Sequence, residues 1–461
     1  DHFRGGVRIE LHRLHVTLEQ GATRFKDDQS VFNAERQNGN RTTPVLGQQL
    51  FLTDLLQAYR VRGDSQYSKG LLTANPVSWL NLYGQFLYSQ PSSDVEYNQR
   101  NAGRFVAFRP PIAGLRFFDL QQSLLASEAR QPHTSGSFAA ELRPHRRVRV
   151  MESLMADRFH TTASALAEDS FTVTTPDSSS TLASSQLLPG LERLVFNYNR
   201  QEANLLVDIT DRFTLRGGHR YVWGDSEVRA PQLSQSGPQE AGRLKMHAGL
   251  AGVSLRPADR LNIQADFEAG SADRNYFRTS LQDYRKLKAR VRYQALSSLS
   301  FAAAFGLLSN ENPAARLNYD FLSRDNSLSV FWTPGGGKRF SLTGDYTRST
   351  LRSDLLYLDP LGFSALQSVY RENAHIASGV LDLTFPNVNQ AAPKLSLGGS
   401  LYRSMGSRPA QYYQPLVKFA FPVHRKVFWF AEWRWYQLAQ PLYLYEGFRT
   451  HQFIAGLRLA L

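Results

Sequence analysis

Residues 261–269 read Leu-Asn-Ile-Gln-Ala-Asp-Phe-Glu-Ala, with an apolar residue at every odd position and a polar one between. A β-strand sends successive side chains to opposite faces. Leu261, Ile263, Ala265, Phe267 and Ala269 therefore share one side, and Asn262, Gln264, Asp266 and Glu268 share the other. One side suits hydrocarbon and the other suits water. Shortly downstream, Leu287, Ala289, Val291, Tyr293 and Ala295 alternate with Lys286, Lys288, Arg290, Arg292 and Gln294. Four cations in a row cannot point into a dry core. The same period returns at Val427, Trp429, Ala431, Trp433 and Trp435 against Phe428, Phe430, Glu432, Arg434 and Tyr436. Shorter runs are Phe213 to Trp223, with Arg216 and Arg220 on the polar phase, and Phe340 to Tyr346.

Composition narrows what such strands can build. The chain has 461 residues, a formal charge of +13, and 29 Phe, 20 Tyr and 6 Trp, yet its mean hydropathy is −0.38. That aromatic content excludes a disordered polymer. No stretch approaches the roughly 18 consecutive apolar residues of a membrane helix. There is no cysteine, which excludes a disulfide framework, a thiolate metal site, an iron–sulfur cluster and covalent haem attachment within this chain. A chain that is aromatic-rich but hydrophilic on average fits a wall with one greasy and one wet face.

Compact turn signals separate the strands: Asn75-Pro76-Val77-Ser78, Pro144 to Arg147, Thr210 to Arg212, Arg256 to Arg260, Leu296 to Ser298, Pro334 to Gly337, Asn387 to Gln390 and Pro422 to Lys426. Each supplies Pro, Gly, Asp or Asn for a tight reversal, or polar side chains for water. His12-Arg13 marks a further turn, where the apolar phase slips. The intervening connections read as long and polar: 21–44, 91–136, 161–185 and 347–375. The expected fold is all-β, a single transmembrane antiparallel β-barrel over residues 1–461 with about 18–20 strands, short periplasmic turns and long extracellular loops. At that size side chains alone do not fill the lumen. Residues 91–136 are predicted to be a long loop folded inward, because so many ordered residues are hard to support outside. The alternation breaks phase at 147–160 and 244–255, predicting a bulge or a shifted register in each.

No GxSxG, HExxH or GxxxxGK[ST] motif is present, so catalytic residues and a bound metal are not expected; an outer-membrane barrel enzyme such as a lipase is the least favoured reading. The Gly335–Gly337 triplet reads as a hairpin turn and not as a phosphate cradle. The polar phases give a charged lumen lining of Arg216, Arg220, Asp266, Glu268, Lys286, Lys288, Arg290, Arg292, Glu432 and Arg434. A cationic row on a low-dielectric wall favours anions, unless Asp266, Glu268 and Glu432 neutralise it. Trp429, Trp433 and Trp435 read as an aromatic girdle at the membrane interface. Arg146, Arg147, Arg256, Arg260, Arg425 and Lys426 gather at the short turns as a basic periplasmic rim, suited to lipid phosphates or an acidic partner. Nucleic-acid binding is not expected, because the aromatics lie on the opposite phase from the cations.

Phe453, Ala455, Leu457, Leu459 and Leu461 alternate to the C-terminus. This resembles the terminal strand that outer-membrane barrels present to their assembly machinery, with Leu461 where Phe is usual. More narrowly, hairpins such as Ser68 to Ser89 and Asp283 to Asn310 resemble, in style and spacing, the barrels of porin–cytochrome (Mtr-type) electron conduits. The N-terminal cysteine pair of some members of that group is absent. The resemblance implies a bacterial outer-membrane location and a porin-like sheath around a multihaem cytochrome, periplasmic or inserted. Outer-membrane lipid is the other implied partner. The barrel would have no cofactor of its own, and haem would enter only on the partner. A passive diffusion porin with anion preference is the alternative. Asp1 opens without a signal segment, so an exported precursor is expected to be longer. A transporter with a plug domain and 22 strands needs more chain than is present here.

Overall fold

The alternating stretches become strands because period-2 patterning lets each bury or expose a whole face at once. The computed structural model describes residues 1–34, 48–107, 117–174, 181–229, 240–277, 279–314, 317–358, 365–388, 391–424, 426–441 and 447–459. Within these, β1 is His2–Leu11, β2 Leu14–Asn33, β3 Gln48–Val77, β4 Leu80–Ala107 and β5 Phe117–Arg130. Next come β6 His133–His145, β7 Val148–Thr174, β8 Thr181–Thr210, β9 Phe213–Arg229 and β10 Glu240–Ala258. They are followed by β11 Leu261–Arg274, β12 Asp283–Leu296, β13 Leu299–Ala314, β14 Leu317–Trp332 and β15 Phe340–Leu358. The last are β16 Ala365–Thr384, β17 Lys394–Gly406, β18 Ala410–His424, β19 Val427–Ala439 and β20 Phe448–Leu459. All belong to one sheet, and successive hairpin partners run antiparallel. No helix among the described residues is long and apolar enough to cross a membrane.

Contacts group the chain into two compact units. The first comprises Asp1–Arg143, Met151–Glu202 and Tyr221–Lys245; the second comprises Pro144–Val150, Ala203–Arg220 and Met246–Leu461.

In the second unit, cross-strand register stacks the apolar phases into rows. Trp332 faces Leu342, which faces Leu381, which faces Leu397. Two rows further from the short turns, Leu328, Tyr346, Ala377 and Leu401 line up in the same way. Much of these rows is exposed, Leu328 at 53% and Tyr346 at 43% included. An exposed apolar band on strands whose backbone groups are paired is the surface that lipid requires. The reversal between β14 and β15 is a short 3-10 turn at Pro334–Gly337, where Gly335, Gly336 and Gly337 hold φ of 62°, 72° and 75°. L-residues avoid that region, which is why three glycines stand there; the phosphate-cradle alternative has no helix to serve it.

In the first unit, β5 and β6 are two halves of one ladder line. β4 pairs Ser89 with His133 on β6 and Ser92 with Arg130 on β5, in unbroken register. The line is interrupted at Gln131-Pro132, opposite Pro91, because neither proline has an N–H to give. Two carbonyls remain in use: Gln131 N donates to Pro91 O at 2.9 Å and His160 N to Pro132 O at 3.0 Å.

The connections are shorter than expected. The inward loop predicted at 91–136 is instead strand over the ends of β4, β5 and the start of β6, with residues 108–116 outside the described part. Likewise β2 reaches Asn33, β7 reaches Thr174, β15 reaches Leu358 and β16 begins at Ala365. Past the apolar band a strand has water on both faces, so its sequence loses the alternation by which a strand is recognised. Residues 148–160 run within β7 and 244–255 within β10. On β10, Met246, Ala248 and Leu250 share the polar-phase face and are buried there, which masks the alternation.

Candidate functional site: the polar face of the second unit

The predicted lumen lining is built on β9 to β12, with β18 and β19 further on. Register sets Asn262 opposite Arg292, Gln264 opposite Arg290, Asp266 opposite Lys288 and Glu268 opposite Lys286. The reverse side pairs Ile263 with Val291 and Phe267 with Leu287. The polar residues therefore share one face, as the sequence required.

Their pairing differs from expectation. Asp266 and Glu268 do not bridge to the lysines opposite. Arg216 Nη2 lies 3.0 Å from Asp266 Oδ1, and Arg220 Nη1 lies 2.6 Å from Glu268 Oε1. Tyr284 Oη also donates to Glu268 Oε1, at 2.7 Å. These arginines reach from β9 across β10 to β11. For Arg216 the room comes from Gly252 of β10: a Cβ there would sit 2.7 Å from Asp266 Oδ1 and 3.3 Å from Arg216 Nε. Glu432 is likewise taken, by Arg434 and by Lys418 Nζ at 3.3 Å. Lys286, Lys288, Arg290 and Arg292 hold no ion pair or side-chain hydrogen bond among the described residues. On their other flank they face Leu308, Gly306, Ala304 and Ala302 of β13. Apolar neighbours, three of them small, offer the ammonium and guanidinium groups no counter-charge on that flank.

At the turn end of this face a cavity of about 700 Å³ is lined by Arg256, Arg260, Asn262, Arg292, Ser329 and Thr343, among others. Two of these arginines were read as rim residues. Arg260 donates to Ala295 O at 3.3 Å, and the nearby Asp259 is held by Arg212 at 3.0 Å. Of the remaining rim, Arg146 and Arg147 sit at the β6–β7 turn and Lys426 at the β18–β19 turn. Arg425 lies outside the described residues. Trp429, Trp433 and Trp435 share the apolar face of β19. Trp429 packs against Phe419, nearer the turn, whereas Trp433 and Trp435 stack on His451 further along. Tyr284 and Gly252 were not singled out from the sequence. The phase of Tyr284 matches Lys286, which was the available signal; nothing local marks Gly252.

No group of three or more metal-binding side chains occurs among the described residues. No family model matches the chain, and no curated protein does. Solved structures do. The chain is similar to the ferric enterobactin receptor PfeA of Pseudomonas aeruginosa, as a single-site variant, with 9% identity over 99% of this chain and 71% of that one, at a TM-score of 0.53. It is similar to the ferric preacinetobactin receptor BauA of Acinetobacter baumannii, with 11% identity over 99% and 77% and a TM-score of 0.52. Against the RagAB peptide importer the identity is 10% and the TM-score 0.49, and the chain spans 62% of that chain's length. At these identities the first two likenesses show the fold: the chain is an all-β transmembrane β-barrel of the outer-membrane type.

Proposed function

We propose that the chain forms a passage through the bacterial outer membrane whose wall favours negatively charged cargo. The observation that carries this reading is the unpaired row Lys286, Lys288, Arg290 and Arg292. Six cations on β9 and β12 stand against two carboxylates, and the two that are neutralised leave the row intact. Backed by a low-dielectric wall, such a row concentrates anions. The test is the zero-current potential of the reconstituted chain in a planar bilayer under a salt gradient. Anion preference supports the reading, and a cation-preferring or closed barrel removes it.

A second reading, a sheath around a multihaem cytochrome, draws on strand length. β3 and β8 each have 30 residues, or about 100 Å of extended chain, whereas the apolar band of such barrels is roughly 25 Å tall. A pore needs wall only as deep as the bilayer; a sheath is as tall as its contents. The haem would be the partner's, since this chain has no cysteine to attach one. Purification from its native membrane with c-type haem absorbance in fixed ratio supports the sheath, and colourless conducting protein removes it.

A further inference from the structure

The face of the second unit that carries the apolar band ends, away from the short turns, in a row of cations. Arg348 on β15 is directly opposite His375 on β16, which is directly opposite Arg403 on β17. Arg324 on β14 stands one row further on, opposite Thr350. All four share the phase of Leu328, Tyr346, Ala377 and Leu401 and so project from the lipid side of the sheet, not from its polar side. None pairs with a carboxylate among the described residues. Arg348 Nε donates to Asn373 Oδ1 at 3.2 Å, and Tyr346 Oη lies 2.7 Å from His375 Nδ1. The carboxylates nearest on this face are spoken for: Asp354 is held by Arg371 and Arg352, and Asp320 lies near Arg352.

A second feature lies two rows beneath on the same face. Gly344, Gly379 and Gly399 stand opposite one another on β15, β16 and β17, on the same lipid-facing phase. Above and below them are the rows of Tyr346 and Leu401 and of Leu342, Leu381 and Leu397. Three adjacent positions without side chains leave a trough in an otherwise bulky apolar band. A trough under unpaired cations has the shape of an amphiphile: acyl chain below, anionic head above.

We propose that this patch is a binding site for the phosphate headgroup of a membrane lipid in the leaflet away from the short turns, with an acyl chain lying over the glycine row. The cations sit where the apolar band gives way to polar side chains, the depth at which lipid phosphates lie. Arginine forks match phosphate oxygens bidentately, and the headgroup supplies the negative charge that the protein leaves out. The site is independent of what the barrel passes, so its failure leaves the passage reading untouched.

The test uses the full chain in phosphatidylcholine nanodiscs doped with bisphosphorylated lipid A or with the same lipid dephosphorylated. Native mass spectrometry counts the lipid retained. The wild type should retain lipid A, and R324Q/R348Q/R403Q should bind it at least about tenfold more weakly. Gly379→Val fills the trough from a position where its Cβ meets Thr343 O at 3.4 Å and Gly344 Cα at 3.9 Å, and it should weaken retention while leaving the cations in place. Arg60 and Arg62, on β3 of the other unit, provide a control: R60Q/R62Q should bind as the wild type does. Equal retention of lipid A by the wild type and the triple variant would overturn the proposal. So would equal retention of the dephosphorylated lipid, or displacement of lipid A by millimolar inorganic phosphate, which would mark a free-phosphate site.

Discussion

Arg216 and Arg220 decide how much positive charge stays unpaired on the polar face, because each claims a carboxylate that the sequence offered to Lys288 and Lys286. The Arg220–Glu268 bridge is well sheltered, with 21% and 15% of the two side chains exposed. Glu268→Gln leaves a sheltered guanidinium without its counter-charge, so we expect a loss of about 1–3 kcal/mol in unfolding measurements together with a stronger anion preference in the bilayer. A variant that loses stability without gaining anion preference would show that the arginines are not part of the conducting wall. On the lipid side, beyond the apolar band, hydrogen bonding from Arg371 first, and then from Arg352, holds the Asp354 carboxyl below its ordinary range. A depressed folded value means that the contribution is complete above the unfolded carboxylate value of about 3.9 and is lost as pH falls through the folded one. The opening of the β15–β16 ladder, read from hydrogen exchange corrected for the intrinsic pH dependence of amide exchange, should therefore be unchanged between neutral and mildly acidic pH, and should rise only in strong acid. In Asp354→Asn that acid-linked rise should be absent.

Elements test the face assignments. Leu328 and Ser327 are neighbours on β14 that point to opposite sides. Leu328→Arg should cost about 2–4 kcal/mol in a lipid bilayer, as arginine does near the midplane of a barrel wall, whereas Ser327→Arg should stay within about 0.5 kcal/mol. Similar costs at both positions would mean that the two faces are not lipid and water. The β5–β6 break makes a different prediction. Pro132→Val restores an N–H to a ladder already in register on both sides, so exchange protection at residues 131–133 should increase. Strand positions within the band were legible because lipid on one side and water on the other enforce the period. The turns were legible too: His12-Arg13, Asp211-Arg212, Asp259-Arg260 and Ser297-Ser298 all separate strands as their residues suggested. Strand ends were not, since beyond the band neither face of β4 or β7 meets an apolar solvent and nothing in the sequence has to alternate.

At the scale of the whole molecule, a chain of +13 charge with 55 aromatic residues keeps most of its grease and its charge on different faces within the apolar band, as the ladders of β11 to β17 show. The charge pattern of the polar face was half legible. Period 2 put Lys286, Lys288, Arg290 and Arg292 together, but which carboxylate answers which cation depends on a reach across β10 that needs Gly252, and strand periodicity carries no information about next-but-one strands. The central claim is that this row stays unpaired and selects cargo by charge. The measurement that addresses it most directly is the zero-current potential of Lys288→Glu/Arg290→Glu beside the wild type under the same salt gradient. The wild type should favour anions, and the double reversal should lower the anion-to-cation permeability ratio by about tenfold or invert it. An identical potential in both proteins would contradict the account.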